Sequence, residues 1–257
     1  MAVLLVGTLD TKGAEYAYVR DRLRAAGVEV LVADAGALGP PPFAPDIPRE
    51  AVFAAAGADS AAVRAAGDRG RAVELAAAGA ARLAADLHKR GELTGAMGLG
   101  GSAGTTIATA AMRVLPVGVP KLMVSTLASG QVGHYVGTRD VLMMHSVVDI
   151  AGLNRVSRAV LDNAVAAMAG MVKNLTPQPP LLGREGGQDS GGPTPAAAEA
   201  PPFLGEGLGR GSAADKPVIA ATMFGVTTPC VEAARRVLEA AGYEVLVFHA
   251  TGTGGRT

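Results

Sequence analysis

Leu93-Thr-Gly-Ala-Met-Gly-Leu-Gly-Gly-Ser-Ala-Gly-Thr-Thr-Ile107 decides the fold. It reads as a buried strand, a glycine turn and the first turn of a helix. Leu93 to Leu99 is apolar and small enough to sit inside a sheet. Gly100, Gly101 and Gly104 leave the backbone free to take φ > 0 and to approach a ligand closely. Ser102, Thr105 and Thr106 supply hydroxyls, and the helix that follows offers free N–H groups and the positive end of its dipole. Such a turn is a cradle for phosphate or another anion. The plain alternative is a tight strand-to-helix turn with no ligand. Gly98-x-Gly100-x-x-Ala103 loosely matches a dinucleotide fingerprint, but no acidic partner follows at the expected distance. No Lys precedes Thr105, so the loop is not a Walker A motif.

Around this stretch the composition narrows the classes. The chain has 257 residues, 49% of them hydrophobic, enough for one large domain or two smaller ones. Lys+Arg 23 balances Asp+Glu 23, so nothing in the total points to a polyanion-binding surface. The low aromatic content and the absence of Trp argue against stacking on single-stranded nucleic acid. A single cysteine, Cys230, excludes an internal disulfide and fits a reducing compartment. Met1 to Val6 meets Asp10 too soon to be a signal segment. The uncharged run from Leu93 to Met112 holds too many Gly, Ser and Thr residues for a membrane span. These features predict a cytoplasmic, soluble protein with no nucleic-acid or membrane partner.

The order of elements is β-turn-α-β repeated. Ala2 to Val6 is a strand, Gly7 to Gly13 a polar turn, and Ala14 to Ala26 a helix with Tyr16, Val19, Leu23 and Ala26 on one face. Gly27 caps it. Val28 to Ala33 is a strand ending in Asp34. Pro48 to Ala56 is a short helix, and Arg71 to Arg90 a long one with Val73, Ala76, Ala80, Leu83 and Leu87 on one side. The strand and helix of the glycine stretch follow, then a strand over Lys121 to Ser125 and another over Val141 to Met144. Gly152 to Val172 is a helix with Leu153, Val156, Val160, Ala167 and Met171 as its buried stripe. Alternating strands and helices predict an α/β fold, a Rossmann-like parallel sheet with helices on both faces.

Residues 174–215 differ. Seven of the sixteen prolines fall there, mixed with Gly, Ala and Ser, which reads as a disordered linker. From Lys216 the opening unit repeats without a gap: Leu23 matches Leu238, Gly27 matches Gly242, Val30 matches Val245 and Asp34 matches His249. Pro217 to Met223 and Glu244 to Phe248 are its strands, Cys230 to Ala241 its helix, with Thr228 as N-cap and Pro229 at the first helical position. One β-α-β unit cannot cover both faces of a sheet. Residues 216–257 are therefore expected to be the truncated start of a second α/β subdomain, marginal in stability beside residues 1–173.

Gly7-Thr-Leu-Asp-Thr-Lys12, Gly100-Gly-Ser-Ala-Gly-Thr105, Ser125-Thr-Leu-Ala-Ser-Gly130, Tyr135-Val-Gly137 and Ser146-Val-Val-Asp-Ile-Ala-Gly-Leu-Asn154 stand in the first part. Met223-Phe-Gly-Val-Thr-Thr-Pro229 and His249-Ala-Thr-Gly-Thr-Gly-Gly255 stand in the second. With these motifs the chain resembles the uncharacterised family whose plant member is the tomato mosaic virus resistance protein, an ATP-binding domain. The resemblance implies two Rossmann-like subdomains with ATP held between loops. It points to Gly7, Thr8, Asp10, Thr11, Lys12, Gly100 to Thr106, Ser125, Thr126, Gly130 and Gly137 as binding residues. In the second part it points to Gly225, Thr227, Thr228, Thr251, Gly252, Thr253, Gly254 and Gly255. The long Pro-rich insertion departs from the family's pattern.

Among these residues Lys12 is placed to neutralise phosphate oxygens and Asp10 to bind Mg²⁺, directly or through water. His134 and Asp149 are the candidate acid/base residues. Arg139 and Asp140 read as a local ion pair, His145 as a satisfied residue near the sheet edge, Ser146 as a cleft residue, and Asn154 as a helix cap. Cys230 reads as a packing residue. No Ser-His-Asp order, CxxC pair or HExxH occurs. Three functions follow: a nucleotide-binding protein, an enzyme acting on a small phosphorylated or carboxylate metabolite, or an interaction protein whose nucleotide is structural. A protein partner or a homodimer fits the last.

Overall fold

The computed structural model describes residues 1–173, 216–223 and 227–249. The linker reading of residues 174–215 lies outside them. Five parallel strands form the main sheet: β1 (Ala2–Gly7), β2 (Val30–Asp34), β3 (Leu93–Gly100), β4 (Lys121–Ser125) and β5 (Leu142–His145), in the order β2-β1-β3-β4-β5. The sheet is doubly wound. Leu4, Val6, Ala96 and Met123 face one layer, made by α2 (Arg49–Ala55), α4 (Arg69–Lys89) and α5 (Ser102–Arg113). Val3, Leu5, Met97, Leu122 and Val124 face the other, made by α1 (Leu9–Ala25) and α7 (Arg155–Lys173). Strands buried on both faces are why the sequence shows apolar runs rather than alternation. The Rossmann-like α/β class is what the sequence predicts.

The chain order reverses between β1 and β3, and there the strands part. Their pairing ends at Leu5 and Met97. Tyr16, fully buried on α1, takes over: Leu99 N donates to its hydroxyl at 3.0 Å, and the hydroxyl donates to Val6 O at 2.8 Å or Leu99 O at 2.9 Å. Burial pushes its ionisation far up, so it stays a neutral donor. Gly7 is glycine for this reason, since a Cβ would lie 1.8 Å from the Tyr16 oxygen.

Several local expectations change. The stretch from Gly7 to Gly13 is not a free turn. Helix α1 already starts at Leu9 and breaks at Lys12 (φ −132°), because Asp34 Oδ1 accepts from Leu9 N at the helix start. α3 (Ser60–Ala66) is an additional short helix, capped by Asp59. The buried stripe of α7 runs through Ser157, Leu161, Ala164, Val165 and Met168, with Val160, Ala167 and Met171 on its flank. Asn154 does cap α7, since Ser157 N donates to Asn154 Oδ1 and Asn154 N to Ser157 Oγ, both at 2.8 Å. Asp140 pairs not with Arg139 but with Lys121, whose side chain is fully buried and also donates to Pro116 O and Val119 O.

The repeat is real in three dimensions. Gly27 (φ 74°) and Gly242 (φ 92°) are left-handed terminators. Val28 N donates to Leu23 O and Tyr243 N to Leu238 O, as the alignment requires. β6 (Val218–Met223) and β7 (Glu244–His249) pair in parallel, with α8 (Thr228–Ala240) against one face. The N-cap is Thr227, not Thr228, and Pro229 is the second helical residue. Cys230 is exposed, so it has no packing role. The register also differs: Val3 pairs with Val30, whereas Val218 pairs with Glu244 rather than Val245. This one-residue slip turns Ala221 and Met223 toward α8 and leaves Val218 exposed.

Two tests follow. Tyr16→Phe keeps the ring but leaves the Leu99 amide buried without its acceptor. It should lower the unfolding free energy by about 1–3 kcal/mol in urea titrations, and an unchanged midpoint would remove the hydroxyl from the fork. The second concerns Asp140. Burial opposes its charge, but the Lys121 ammonium and the Gly118 amide hold it below the ordinary carboxylate value. A carboxylate with a lowered folded pKa stabilises fully above the unfolded value of 3.8 and loses that contribution as pH falls below it. The stability gap between wild type and Asp140→Asn should therefore be wide at pH 7 and shrink below pH 4.

Candidate functional site

The carboxyl ends of β1, β3 and β4 meet at the strand reversal, where ligands bind in doubly wound sheets. β3 ends at Gly100, and Thr126 N donates back to Gly100 O at 3.2 Å, which ties the turn after β4 to the glycine loop. α5 starts at Ser102, with Gly101 as N-cap and no side chain capping it. Its first amides therefore point out of the helix end with the dipole behind them. Beside Gly101 stands Thr126, only 8% exposed, whose Oγ1 has no hydrogen-bond partner among the described residues. A Cβ added at Gly101 would lie 3.6 Å from that oxygen.

The three glycines are needed for different reasons. Gly100 has φ 159°, and a Cβ there would lie 2.9 Å from Gly104 Cα. Gly101 is extended at φ −83°, so any residue fits its backbone. Gly104 is helical and close to Leu99 O. Free rotation to φ > 0 is thus not what Gly101 and Gly104 supply; close approach is.

The remaining predicted residues divide. Thr105 and Ser125 are buried and bonded to each other at 2.8 Å, and Thr105 Oγ1 also donates to Gly101 O. They build the loop rather than face a ligand. Thr106 Oγ1 donates to Ser102 O within the helix. Ser102 and Ala103 contribute the first amides of α5. Thr8 caps its own turn, with Thr11 N and Lys12 N donating to its carbonyl and its hydroxyl on that of Thr11. Gly130 closes the turn after β4, and Gly137 (φ 57°) ends α6 (Gly133–Val136). Thr227 and Thr228 start α8. Gly225 and the stretch 251–255 lie outside the described residues.

Lys12 does not stand at the glycine loop. Its ammonium donates to Ile150 O. Buried Glu15, one turn on, accepts from Gly152 N. The loop 149–152 is held from the other side too, by Val247 O on Asp149 N at 2.6 Å and by Arg235 on Ala151 O. Asp10 Oδ2 accepts from Leu38 N and Gly39 N, which anchors the loop after β2. Among the described residues Asp10 Oδ1 is buried without a partner, but no group of three or more acidic, His or Cys residues stands with it to hold an ion. Asp34, at the tip of β2, is consumed by Leu9 N, Gly36 N and Arg49.

The candidate acid/base residues do not gather. His134 O accepts from Arg113, the last residue of α5, which puts α6 at the far end of that helix, roughly 16 Å from Ser102. The Asp149 carboxylate accepts from Ile150 N. Ser146 is buried and donates to Val148 O. His145, read as satisfied, is not: its Nδ1 is buried without a partner. His145 pairs with Ser125 across β4 and β5, so both project toward α5. Two residues on, Val147 takes φ 67°, a strained conformation for a β-branched residue. A surface concavity between α3 and α4 is lined by Ala58, Ala62, Val63 and Ala66, and its aspartates are occupied as helix caps.

The fold and this edge define a doubly wound α/β protein with an uncapped helix end at its strand reversal. The family model described as "Uncharacterised protein family (UPF0261) N-terminal domain" matches residues 1–177, and that of the "C-terminal domain" matches residues 216–257. The chain belongs to this family. The UPF0261 protein of Clostridium tetani is 42% identical over 254 residues, covering 99% of this chain and 55% of that protein. The UPF0261 protein RA0729 of Rhizobium meliloti is 44% identical over 254 residues, covering 99% and 54%. The chain thus spans about half the length of these curated relatives. The ToMV resistance protein Tm-1(GCR237) of Solanum lycopersicum is 45% identical over 164 residues, covering 64% of this chain and 18% of that protein. Among the described residues no helix is long and apolar enough to cross a membrane.

The position of Lys12 is testable. Lys12→Met removes the ammonium and keeps most of the stem. Hydrogen exchange at residues 149–152 should accelerate about tenfold, as expected for loss of one hydrogen bond to a charged donor. Unchanged exchange there would free Lys12 for another role.

Proposed function

We propose that this chain is a nucleotide-binding protein that holds the phosphates of ATP at the N-terminus of α5. ATP is the ligand the family resemblance implies. The observation that carries the reading is the buried, unpartnered Thr126 hydroxyl beside Gly101, at a helix start that no side chain caps. A buried hydroxyl left without a partner is costly, and a ligand oxygen at this place would satisfy it. The amides of Ser102, Ala103 and Gly104 would hold further oxygens, and Gly101 leaves room for them. The Lys12 ammonium is committed to Ile150 O and Asp10 Oδ2 to the loop after β2, so in this reading they anchor neighbouring loops rather than hold the phosphates. The reading is of binding rather than turnover, because His134 lies at the far end of α5 and the Asp149 carboxylate accepts from Ile150 N.

Gly101→Ala separates ligand from fold. The backbone there accepts any residue, and the added methyl meets only the Thr126 hydroxyl, at an ordinary contact distance. Stability should be unchanged within about 0.5 kcal/mol, while the methyl fills the space a phosphate needs. Calorimetric titration with ATP should show at least a tenfold loss of affinity. Thr126→Val should cost about three- to tenfold, the worth of one hydrogen bond. Wild-type affinity in both variants would remove the phosphates from α5.

A further inference from the structure

We propose that His145 completes this site as a donor to the bound oxyanion, and that its protonation makes binding pH-dependent. The inference rests on the reading of the α5 N-terminus as the ligand site. It starts from the register of the sheet. His145 is the direct partner of Ser125, and paired residues on parallel strands project to the same face. Ser125 reaches Thr105 on α5, and Met143, two residues before His145, packs with Ile107 and Ala111 of α5 in one cluster. The imidazole therefore lies on the α5 side, at the carboxyl edge of the sheet, one strand over from Thr126. Its Nδ1 is buried and unpartnered.

Two buried polar atoms without partners, at the carboxyl ends of adjacent strands, define in this proposal one group of donors. The chemistry is specific. Amides and a hydroxyl give direction but no net charge, and Lys12 is tied to Ile150 O. A protonated imidazole supplies the missing positive charge. That suits a phosphate or phosphate ester whose own charge also changes near neutral pH. Beside His145, β4 carries Ser125, whose hydroxyl is bonded to Thr105 of α5, and the following loop carries Asp149, whose carboxylate accepts from Ile150 N. Lys121 and Asp140 lie at the opposite end of β4 and β5 and neutralise each other. The left-handed Val147 turns the chain two residues after His145.

The test is calorimetric titration with ATP, and separately with inorganic phosphate, at pH 6 and pH 8. Wild type, His145→Leu, His145→Asn and Thr126→Val are compared, each with its thermal melt. Wild type should bind phosphate more tightly at pH 6. His145→Leu should lose tenfold or more at pH 6 and most of the difference between the two pH values. His145→Asn keeps a donor near Nδ1 but cannot titrate, so it should bind above His145→Leu and show between the two pH values only the change that the ligand's own charge brings, the same as in His145→Leu. If both His145 variants bind like wild type with the same pH dependence while Thr126→Val is impaired, the anion site stands and His145 has no part in it. If Thr126→Val also binds like wild type, the site itself is wrong. Loss of binding in His145→Leu without any change in pH dependence would make His145 a packing residue and overturn the proposal.

Discussion

The arrangement depends on one hydroxyl. β1 and β3 must part at their carboxyl ends for a doubly wound sheet to have a crevice there, and parting strands abandon backbone hydrogen bonds. Tyr16 supplies the bonds that the strands give up, from a helix on one face, with a proton that burial keeps in place. The ring also fixes the depth at which α1 sits and demands glycine at position 7. From that fork follow the positions of the Thr8 turn on one side and of the glycine loop on the other. A crevice at the strand reversal is thus not empty geometry but a wedge held open by a side chain.

Much of this was legible in the sequence. Glycines at 27, 91 and 242, each after an amphipathic stretch, mark helix ends that the structure makes left-handed. The apolar runs Ala2–Val6 and Leu93–Leu99 read directly as strands buried on both faces. The matching of residues 2–34 with 217–249 foretold a second β-α-β unit. The phase of the helix stripes was harder. In α4 and α7 alanine stands on nearly every side, so periodicity blurs, and the stripe on α7 is centred about one position from the expected one. The one-residue slip between β6 and β7 has no signature in an alignment without gaps.

The site was legible in outline and not in detail. Gly101 and Thr126 do stand beside each other, but the reason first given for Gly101, a positive φ, is not the one its backbone shows. Charged residues misled most. Lys12 and Asp10 look in sequence like groups awaiting a ligand, yet the Lys12 ammonium and one Asp10 oxygen are taken by backbone, and Asp140, read as the partner of Arg139, pairs with Lys121. Partner choice is a tertiary property: Lys12 is 138 residues from the carbonyl it holds. His145 was passed over for the converse reason. A histidine at a strand end says nothing about whether its nitrogens find partners, and only the alignment of β5 with β4 shows which way the ring faces.

The loop 149–152 has a consequence for how the two units communicate. Lys12 and Glu15 grip it from α1, and Arg235 and Val247 grip it from the second unit. α1 begins in the turn at Thr8, beside the strand reversal. A ligand that shifts this turn therefore changes the free energy with which the second unit is held, and a change in the second unit alters ligand affinity by the same factor, since coupling between two sites is reciprocal. Four residues of backbone in this loop are shared property, and their carbonyls and amides carry the exchange.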